Sequence, residues 1–372
     1  MASRVKESAM ISPVFLWIVL HKSQTGIGVL SFQQNVPGGA EQDAWISLIA
    51  VGLLAHVIVW MMFSILGYAE NGDLLSLHRQ LFGKWIGNTL SLAFYAYAVL
   101  AIAVQLRAYV EIIQVWAFPF AYIWGLALVI VLTALYIAGS GFRVVAGACF
   151  FGIFIPSTLL LTLYFPLTYA HWENLLPMFD HNLPELAKSA RQSLFTFLGA
   201  EFMLIYFPYI KNRERSQKWA HIAILHTTIV YLIIELVTFV YFNMDQLEGT
   251  VWPTLILSKI IRLPFLERFD YIYVFTWLVV VLPMCSLMIW CGTRILKKTV
   301  RLKGSYALWL TGAGAFAGCV ALRNPIDIEQ AQVFLGEIGL YLFLAYIPLL
   351  FVLVSIRRWR GRQANSNESA NA

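Results

Sequence analysis

Charged residues are scarce in this chain. Only 12% of its 372 residues are Asp, Glu, Lys or Arg and 60% are hydrophobic, whereas about 25% of an average soluble domain is charged. No polar stretch is long enough to form a separate soluble domain. The composition therefore excludes a soluble enzyme and predicts a single transmembrane domain over residues 1–362.

Cysteine is also rare, and recognisable catalytic motifs are missing. The four cysteines lie in apolar segments, and no two have the CxxC spacing of a metal site. The sequence contains no HExxH motif, no paired-aspartate signature and no nucleophile–base set. We therefore expect no enzymatic activity, no metal site and no cofactor.

Apolar segments of about 20 residues, the length that crosses a bilayer as a helix, are abundant. Most of the 26 Lys and Arg residues fall in loops on the side of the N-terminus, which predicts that both termini are cytoplasmic. This bias explains the positive net charge, so we expect the basic C-terminal cluster to meet anionic lipid and expect no nucleic-acid partner. Residues 363–372 are polar and should be disordered. The ten predicted spans are 10–34, 44–69, 85–117, 121–139, 143–166, 188–210, 217–242, 267–293, 303–322 and 333–356.

The ten spans divide into two groups of five, 10–166 and 188–356. Because each group contains an odd number of spans, the second group begins on the opposite side of the membrane and is inverted relative to the first. The opening span of each group is interrupted by glycine, and paired interruptions of this kind indicate a transporter-type site near the bilayer midplane. We predict an all-α integral membrane protein of ten transmembrane helices, with a 5+5 inverted repeat and breaks in helices 1 and 6.

The sixth span carries a carboxylate beside its glycine, in the order Gly199, Ala200, Glu201, Phe202. A charge at bilayer depth costs about 3 kcal/mol on insertion scales, so such a group usually faces a cavity or a partner. Glu201 is therefore predicted to bind a ligand or to titrate beside an unwound backbone. The alternative is a structural acid tied to a neighbouring helix.

The first span is interrupted over residues 23–28, which are Ser23, Gln24, Thr25, Gly26, Ile27 and Gly28. Free N–H groups at the start of a half-helix would accept an anionic head such as a carboxylate, although the glycines could instead serve helix packing. His21 and Lys22 precede the break, and we expect one of them to lie near Glu201 and neutralise it. In the alternative, the span starts later and Lys22 snorkels.

Three further residues complete the predicted binding site. Tyr97, on the same long helix as Gln105, is expected to face the cavity. In span eight, Thr276 would contribute a hydroxyl and Phe275 an aromatic wall, although most aromatic residues at helical spacing face lipid or pack. The full substrate-binding set is Thr25, Gly26, Ile27, Gly28, Tyr97, Gly199, Ala200, Glu201, Phe202, Phe275 and Thr276.

An ordered set of motifs resembles a known family. The motifs are GIGVL at 26–30, GAE at 199–201, YFPYI at 206–210 and PFLERFD at 264–270. Over roughly 10–360 the chain resembles the GerAB-type B-subunit permeases of endospore nutrient-germinant receptors, a branch of the amino acid–polyamine–organocation superfamily. Two departures are visible. Similar proteins usually carry a proline where this chain has Gln33 and Gln34, and some relatives place a lysine in span five, which has none here.

The resemblance implies a LeuT-like broken-helix fold in the inner membrane of a dormant spore. It also implies a small nutrient, typically an amino acid, as the germinant, and A and C subunits as partners. The expected function is that of a nutrient-sensing membrane subunit whose ligand triggers germination. The alternative is a proton-coupled secondary amino-acid transporter, which the sequence does not distinguish from a sensor.

Overall fold

The protein is an all-helical chain. A computed structural model describes residues 5–262, 264 and 267–370, with side chains described as far as 363. Apart from one isolated bridge between Ile11 and Ile210, the described residues form helices, turns and loops. Phe265 and Leu266, from the motif before span eight, lie outside the described residues.

The α-helices range from four residues to more than forty, and the two broken stretches consist of short helices. Turns of 3-10 helix occupy Ile27–Leu30, Leu194–Phe197, Ala200–Phe202 and Phe207–Tyr209, and a π-helical turn occupies Leu342–Tyr346. In the described residues the α-helices are α1 Val14–Gln24, α2 Phe32–Asn35, α3 Ala44–Tyr68, α4 Leu74–Trp116, α5 Ile123–Gly139, α6 Phe142–Ser157, α7 Tyr164–Leu167, α8 Leu183–Ser193, α9 Met203–Tyr206, α10 Gln217–Tyr241, α11 Met244–Glu248, α12 Pro253–Ser258, α13 Asp270–Thr299, α14 Gly304–Ala321, α15 Pro325–Tyr341 and α16 Ile347–Ala370.

Six helical stretches of the described chain are long and apolar enough to cross a membrane, as expected for an integral membrane protein. Each overlaps a predicted span, and α5 is apolar but shorter. The helix α16 continues to Ala370, into the segment 363–372 where we predicted disorder, and residues 371–372 lie outside the described part. The six stretches are Glu41–Tyr68, Leu74–Trp116, Phe142–Leu167, Arg213–Tyr241, Asp270–Thr299 and Pro325–Gln363.

The helix α13 lies at the centre of the bundle, against α4, α5, α6 and α14. Its contact with α6 is close because Gly152 has no side chain. A Cβ there would lie 2.9 Å from the carbonyl oxygen of Val279 and 3.0 Å from the ring of Pro283. Small residues allow membrane helices to approach in this way. The helix α1 packs on α10 and α6, which brings the first broken stretch into the core.

Candidate functional site

The first break follows α1. Thr25 has extended backbone angles, φ −102° and ψ 104°, and Gly26 (φ −127°, ψ −140°) leads into the turn that begins at Ile27. Carbonyl groups at the end of a helix lack an intrahelical donor and need another partner when they are buried. The ammonium of Lys22 donates to the Thr25 carbonyl at 2.6 Å and supplies that partner.

Side chains from two long helices bind the next backbone groups of the break. The indole Nε1 of Trp277, on α13, donates to the carbonyl of Gly26 at 3.2 Å. The N–H of Ile27 donates to Oε1 of Gln105, on α4, at 3.0 Å. A non-helical backbone at this depth is tolerated because these polar side chains replace the lost helical hydrogen bonds.

The second break lies at Gly199, directly against the first. Its φ of +105° is in the left-handed region that favours glycine. A Cβ on Gly199 would lie 1.8 Å from the carbonyl oxygen of Ser23, a distance that excludes any side chain. The two interruptions predicted from the sequence therefore contact each other through their backbones.

Glu201 lies just after the second break and is 1% exposed. The hydroxyl of Tyr97 donates to its Oε1 at 2.7 Å, and the N–H of Gly199 donates to its Oε2 at 2.8 Å. Both carboxylate oxygens are thus held by neutral donors. The side chain points into the protein, on the face that meets α4.

Aromatic rings surround this acid. The ring of Phe202 stacks on Tyr97 with centroids 6.0 Å apart, and Phe94 meets Phe202 edge-on at 5.6 Å. Ala200, next to Glu201 in sequence, is fully buried. The predicted residues of the sixth span and Tyr97 are therefore close together, as the sequence pattern suggested.

The expected neutralisation of Glu201 by Lys22 or His21 is wrong. In the described part of the chain, no ion pair involves Lys22, and its ammonium is used by Thr25. His21 Nδ1 lies 2.8 Å from Oγ1 of Thr227, and its ring stacks on His226 at 4.0 Å. The contacts of the two side chains are thus with Thr25, Thr227 and His226, whereas Glu201 is bonded by Tyr97 and Gly199.

The two glycines of the first break differ in their surroundings. A Cβ on Gly26 would lie 2.6 Å from Sδ of Met284 and 2.7 Å from Oε1 of Gln105, so this glycine is needed for packing. A Cβ on Gly28 would have no atom of the described structure within 4 Å. Open space therefore adjoins Gly28 rather than Gly26.

Phe275 and Thr276 do not join the other predicted residues. Phe275 is 47% exposed and packs beside Phe118 and Tyr271, and with Thr276 it lines an open surface groove. The next residue, Trp277, is the one that reaches the break. The sequence analysis missed Trp277. Met284 follows it by seven residues, and this spacing places both side chains on the same face of the helix.

A large cleft of about 1870 Å³ opens at the end of the protein where basic residues gather. Arg294, in its wall, lies over the ring of Tyr209 at 5.1 Å, just beyond the second broken stretch. The cleft is lined by residues of both signs, including Glu7, Asp73, Lys211, Arg213 and Lys298. Glu201 and the first break are not among its lining residues.

Two broken stretches that meet beside a buried acid, within an all-helical apolar chain, define a membrane protein with a broken-helix transporter fold. The crystal structure of MhsT in complex with L-phenylalanine has the same fold. It aligns with a TM-score of 0.60 and 13% sequence identity over 92% of this chain and 88% of that protein. At this identity the likeness concerns the fold alone.

The chain belongs to the spore germination protein family, whose model matches residues 10–325. Spore germination protein GerQB of Bacillus cereus is 37% identical over 343 residues, which cover 92% of this chain and 95% of that protein. Spore germination protein A2 of Bacillus subtilis is 22% identical over 346 residues, covering 91% and 94%. The resemblance identified from the sequence motifs is confirmed.

Proposed function

We propose that this chain is the nutrient-sensing membrane subunit of a spore germinant receptor. It binds a small nutrient, an amino acid, between its two broken stretches, and the A and C subunits of the receptor read out the bound state. It resides in the inner membrane of the spore with both termini in the cytoplasm. The observation that carries the proposal is the Glu201 carboxylate, buried where the two breaks meet.

The architecture proposed for this function is the 5+5 inverted repeat of ten spans. It is supported by the positions of the two breaks, one near the start of each half of the chain. It is also supported by the fold shared with MhsT. In this arrangement the breaks lie at similar depth, and their backbone groups, which lack helical partners, face one binding site.

The geometry around Glu201 favours a ligand with an amino group. Tyr97 and Gly199 donate hydrogen bonds to the carboxylate but leave its charge uncompensated. A ligand ammonium would form a charge-assisted hydrogen bond, which is about twice as strong as a neutral one. The aromatic rings of Phe202 and Tyr97 would contact the rest of the ligand.

We propose that the ligand carboxylate binds at the first break. The turn that starts at Ile27 offers backbone N–H groups, and the space beside Gly28 is open. Because the N–H of Ile27 is bonded to Gln105, an anionic head would compete with that side chain for it. Gln105 thus joins the proposed binding residues, and Phe275 and Thr276 are left out.

Ligand binding would act by shifting an equilibrium between open and closed arrangements of the helices. Lys22 and His21 remain the proposed charge-coupling residues, although they act from outside the nutrient site. Lys22 holds the carbonyl end of α1, so a change in its contacts would alter the first break. The partner subunits would respond to that change.

The test is germination of spores that carry Glu201→Gln, scored against a panel of amino acids and sugars. We expect the response to the cognate nutrient to be lost at a normal protein level. The matched control is Glu111→Gln, at a half-buried acid near the end of α4. Normal germination of the Glu201→Gln spores with normal protein levels would remove Glu201 from the site.

The second candidate function is proton-coupled amino-acid transport through the same site. It is favoured by two ionisable side chains, Lys22 and Glu201, which are both buried beside the breaks. Uptake of radiolabelled amino acid by the isolated protein in proteoliposomes, driven by a proton gradient, would support transport. Binding without uptake would support the sensor.

A further inference from the structure

A second buried acid, Glu235, lies on α10 outside the proposed nutrient site. Its side chain is 0% exposed, and neither carboxylate oxygen has a hydrogen-bond partner in the described part of the chain. No ion pair among the described residues includes it. A carboxylate buried without compensation is strongly unfavourable, so this group requires one positive charge, either as a bound proton or as a bound cation.

Glu235 belongs to a polar stripe on the face of α10 that meets the first broken stretch. Successive members are four, four and three residues apart, so they share one helical face. The hydroxyl of Thr227, at one end of the stripe, donates a hydrogen bond to Oε1 of Gln24 at 2.7 Å. The hydroxyl oxygen of Thr238, at the other end, accepts one from Nε2 of Gln33 at 3.4 Å. The stripe consists of Thr227, Tyr231, Glu235 and Thr238. Among the described residues, Glu235 is its one member without a partner.

The orientation of the Gln33 amide follows from its neighbours. The hydroxyl of Thr254 donates to the carbonyl of Val29 at 3.1 Å, and that of Thr238 donates to the carbonyl of Ile234 at 2.7 Å. Because both hydroxyl protons are used in these bonds, the hydroxyl oxygens of Thr254 and Thr238 can only accept hydrogen bonds from the side chain of Gln33. Its Nε2 faces them, at 2.6 Å from Thr254, and its Oε1 faces away.

The side-chain oxygen of Gln33 is thus a second acceptor without a donor. Gln33 is 0% exposed, and its Oε1 has no hydrogen-bond partner within the described ranges. It lies next to Thr238, one helical turn from Glu235 along α10. Three buried oxygen atoms, two from Glu235 and one from Gln33, therefore lack donors in the same region.

We propose that Glu235 and Gln33 form a buried binding site for one small monovalent cation, a proton or Na⁺, between α10 and α2. A set of oxygen atoms suits a hard cation. A protonated Glu235 would instead gain one O–H donor, for which the free Gln33 oxygen is the acceptor. Either ion supplies the single positive charge that the carboxylate lacks.

Occupancy of this site would connect α10 to the first broken stretch. Gln33 lies on α2, which continues that stretch beyond the break, and Phe32 meets Tyr231 edge-on at 4.7 Å. A cation held between Glu235 and Gln33 would fix α2 against α10. The inference does not depend on the proposed nutrient site, because none of that site's residues takes part.

The experiment uses the purified full-length protein in detergent. Its Tm is measured against NaCl concentration, with choline chloride keeping ionic strength constant, and against pH without Na⁺. We expect the Tm to rise with Na⁺ or with falling pH. Glu235→Gln should abolish the response to Na⁺ and reduce the rise of Tm with falling pH, Glu111→Gln should affect both less, and Gln33→Leu should weaken the apparent affinity about tenfold.

The two titrations of Tm, against NaCl and against pH, distinguish Na⁺ from the proton. A Na⁺ response that weakens as the pH falls identifies a Na⁺ site at which protons compete, whereas a pH response that is unaffected by Na⁺ identifies a proton site. A wild-type Tm that follows neither ion, or a Glu235→Gln protein that keeps the full response, overturns the proposal.

A second measurement keeps the test decisive if Glu235→Gln fails to fold. Binding of radioactive sodium and the infrared band of a protonated carboxyl at neutral pH are recorded on protein with an unaltered Glu235. Glu201→Gln serves as the background, so that the band does not arise from the acid of the proposed nutrient site. Detection of either signal supports the site, and absence of both overturns it. Loss of nutrient binding in that background would leave this result unaffected.

Discussion

The carbonyl oxygen of Ser23 occupies the place where a side chain on Gly199 would begin. A Cβ on Gly199 would lie 1.8 Å from this oxygen, far below any van der Waals contact, and φ at Gly199 is +105°. The two broken stretches of the chain, which are about 170 residues apart in sequence, are therefore joined at a point where only glycine fits.

Gly199→Ala should strongly destabilise the protein. The strained backbone and the overlap with a carbonyl that cannot rotate away together cost about 2–5 kcal/mol. We expect a lower Tm in detergent and a lower protein level in spores. Gly147→Ala is the control, because a Cβ at Gly147 in α6 meets no atom within 4 Å, and its Tm should be unchanged or slightly higher. Equal Tm values for the two variants would contradict this contact.

Gln105→Leu should destabilise the first break. The substitution leaves the N–H of Ile27 without its acceptor, and an unsatisfied buried donor costs about 1–3 kcal/mol. The matched control is Gln114→Leu on the same helix, whose partner, the carbonyl of Ala121, is less buried. Thermal unfolding of both variants should show the larger loss for Gln105→Leu, and the reverse order would count against the assigned role.

Exchange of the charges at Lys22 and Glu201 should not restore function. The single variants Lys22→Glu and Glu201→Lys are expected to lose nutrient-dependent germination. The double variant should lose it as well, because the Lys22 ammonium bonds the Thr25 carbonyl and not Glu201. Germination of the double variant at wild-type rates would show that the two side chains pair in the working protein.

The ion pair of Glu7 and Lys211 should make a pH-dependent contribution to stability. The hydrogen-bonded Lys211 ammonium, at 2.7 Å, lowers the pKa of Glu7 below its ordinary value of 4.5. The folded protein thus favours the ionised carboxylate. The stabilisation is complete above the ordinary pKa and is lost as the pH falls through the lowered value.

Comparison of Tm for the wild type and Glu7→Gln over a range of pH checks this contribution. We expect a small difference at neutral pH that vanishes in acid. High salt should also reduce it, because both side chains are accessible to solvent. A difference that persisted unchanged in acid would contradict the ion pair.

The sequence was sufficient to locate both breaks and the acid between them. Glycine next to polar or charged residues in an apolar segment is a local signal, and it correctly marked Gly26, Gly199 and Glu201. Tyr97 was expected only to face the cavity, and its hydrogen bond to Glu201 is a finding of the structure. The spore germination family could be recognised from the same motifs.

The direction of individual side chains could not be predicted in the same way. Successive residues on a helix differ by about 100°, so a small error in helix rotation exchanges one residue for the next. That error placed Phe275 and Thr276 in the site instead of Trp277. The prediction that Lys22 neutralises Glu201 was wrong for another reason. Pairing by opposite charge ignored the free Thr25 carbonyl, which the break itself creates within reach of the lysine.

The π-helical turn at Leu342–Tyr346 separates α15 from α16 and has a consequence for the packing of the last apolar stretch. A π turn adds one residue to a helix, which rotates everything after it by about 100° relative to an uninterrupted α-helix. The buried positions Gly339, Phe343, Ile347, Leu350 and Val354 nevertheless continue at spacings of three and four residues through the turn. The buried face therefore rotates about the helix axis where α15 meets α16, and a straight partner helix that follows this face along α15 would leave it beyond the turn.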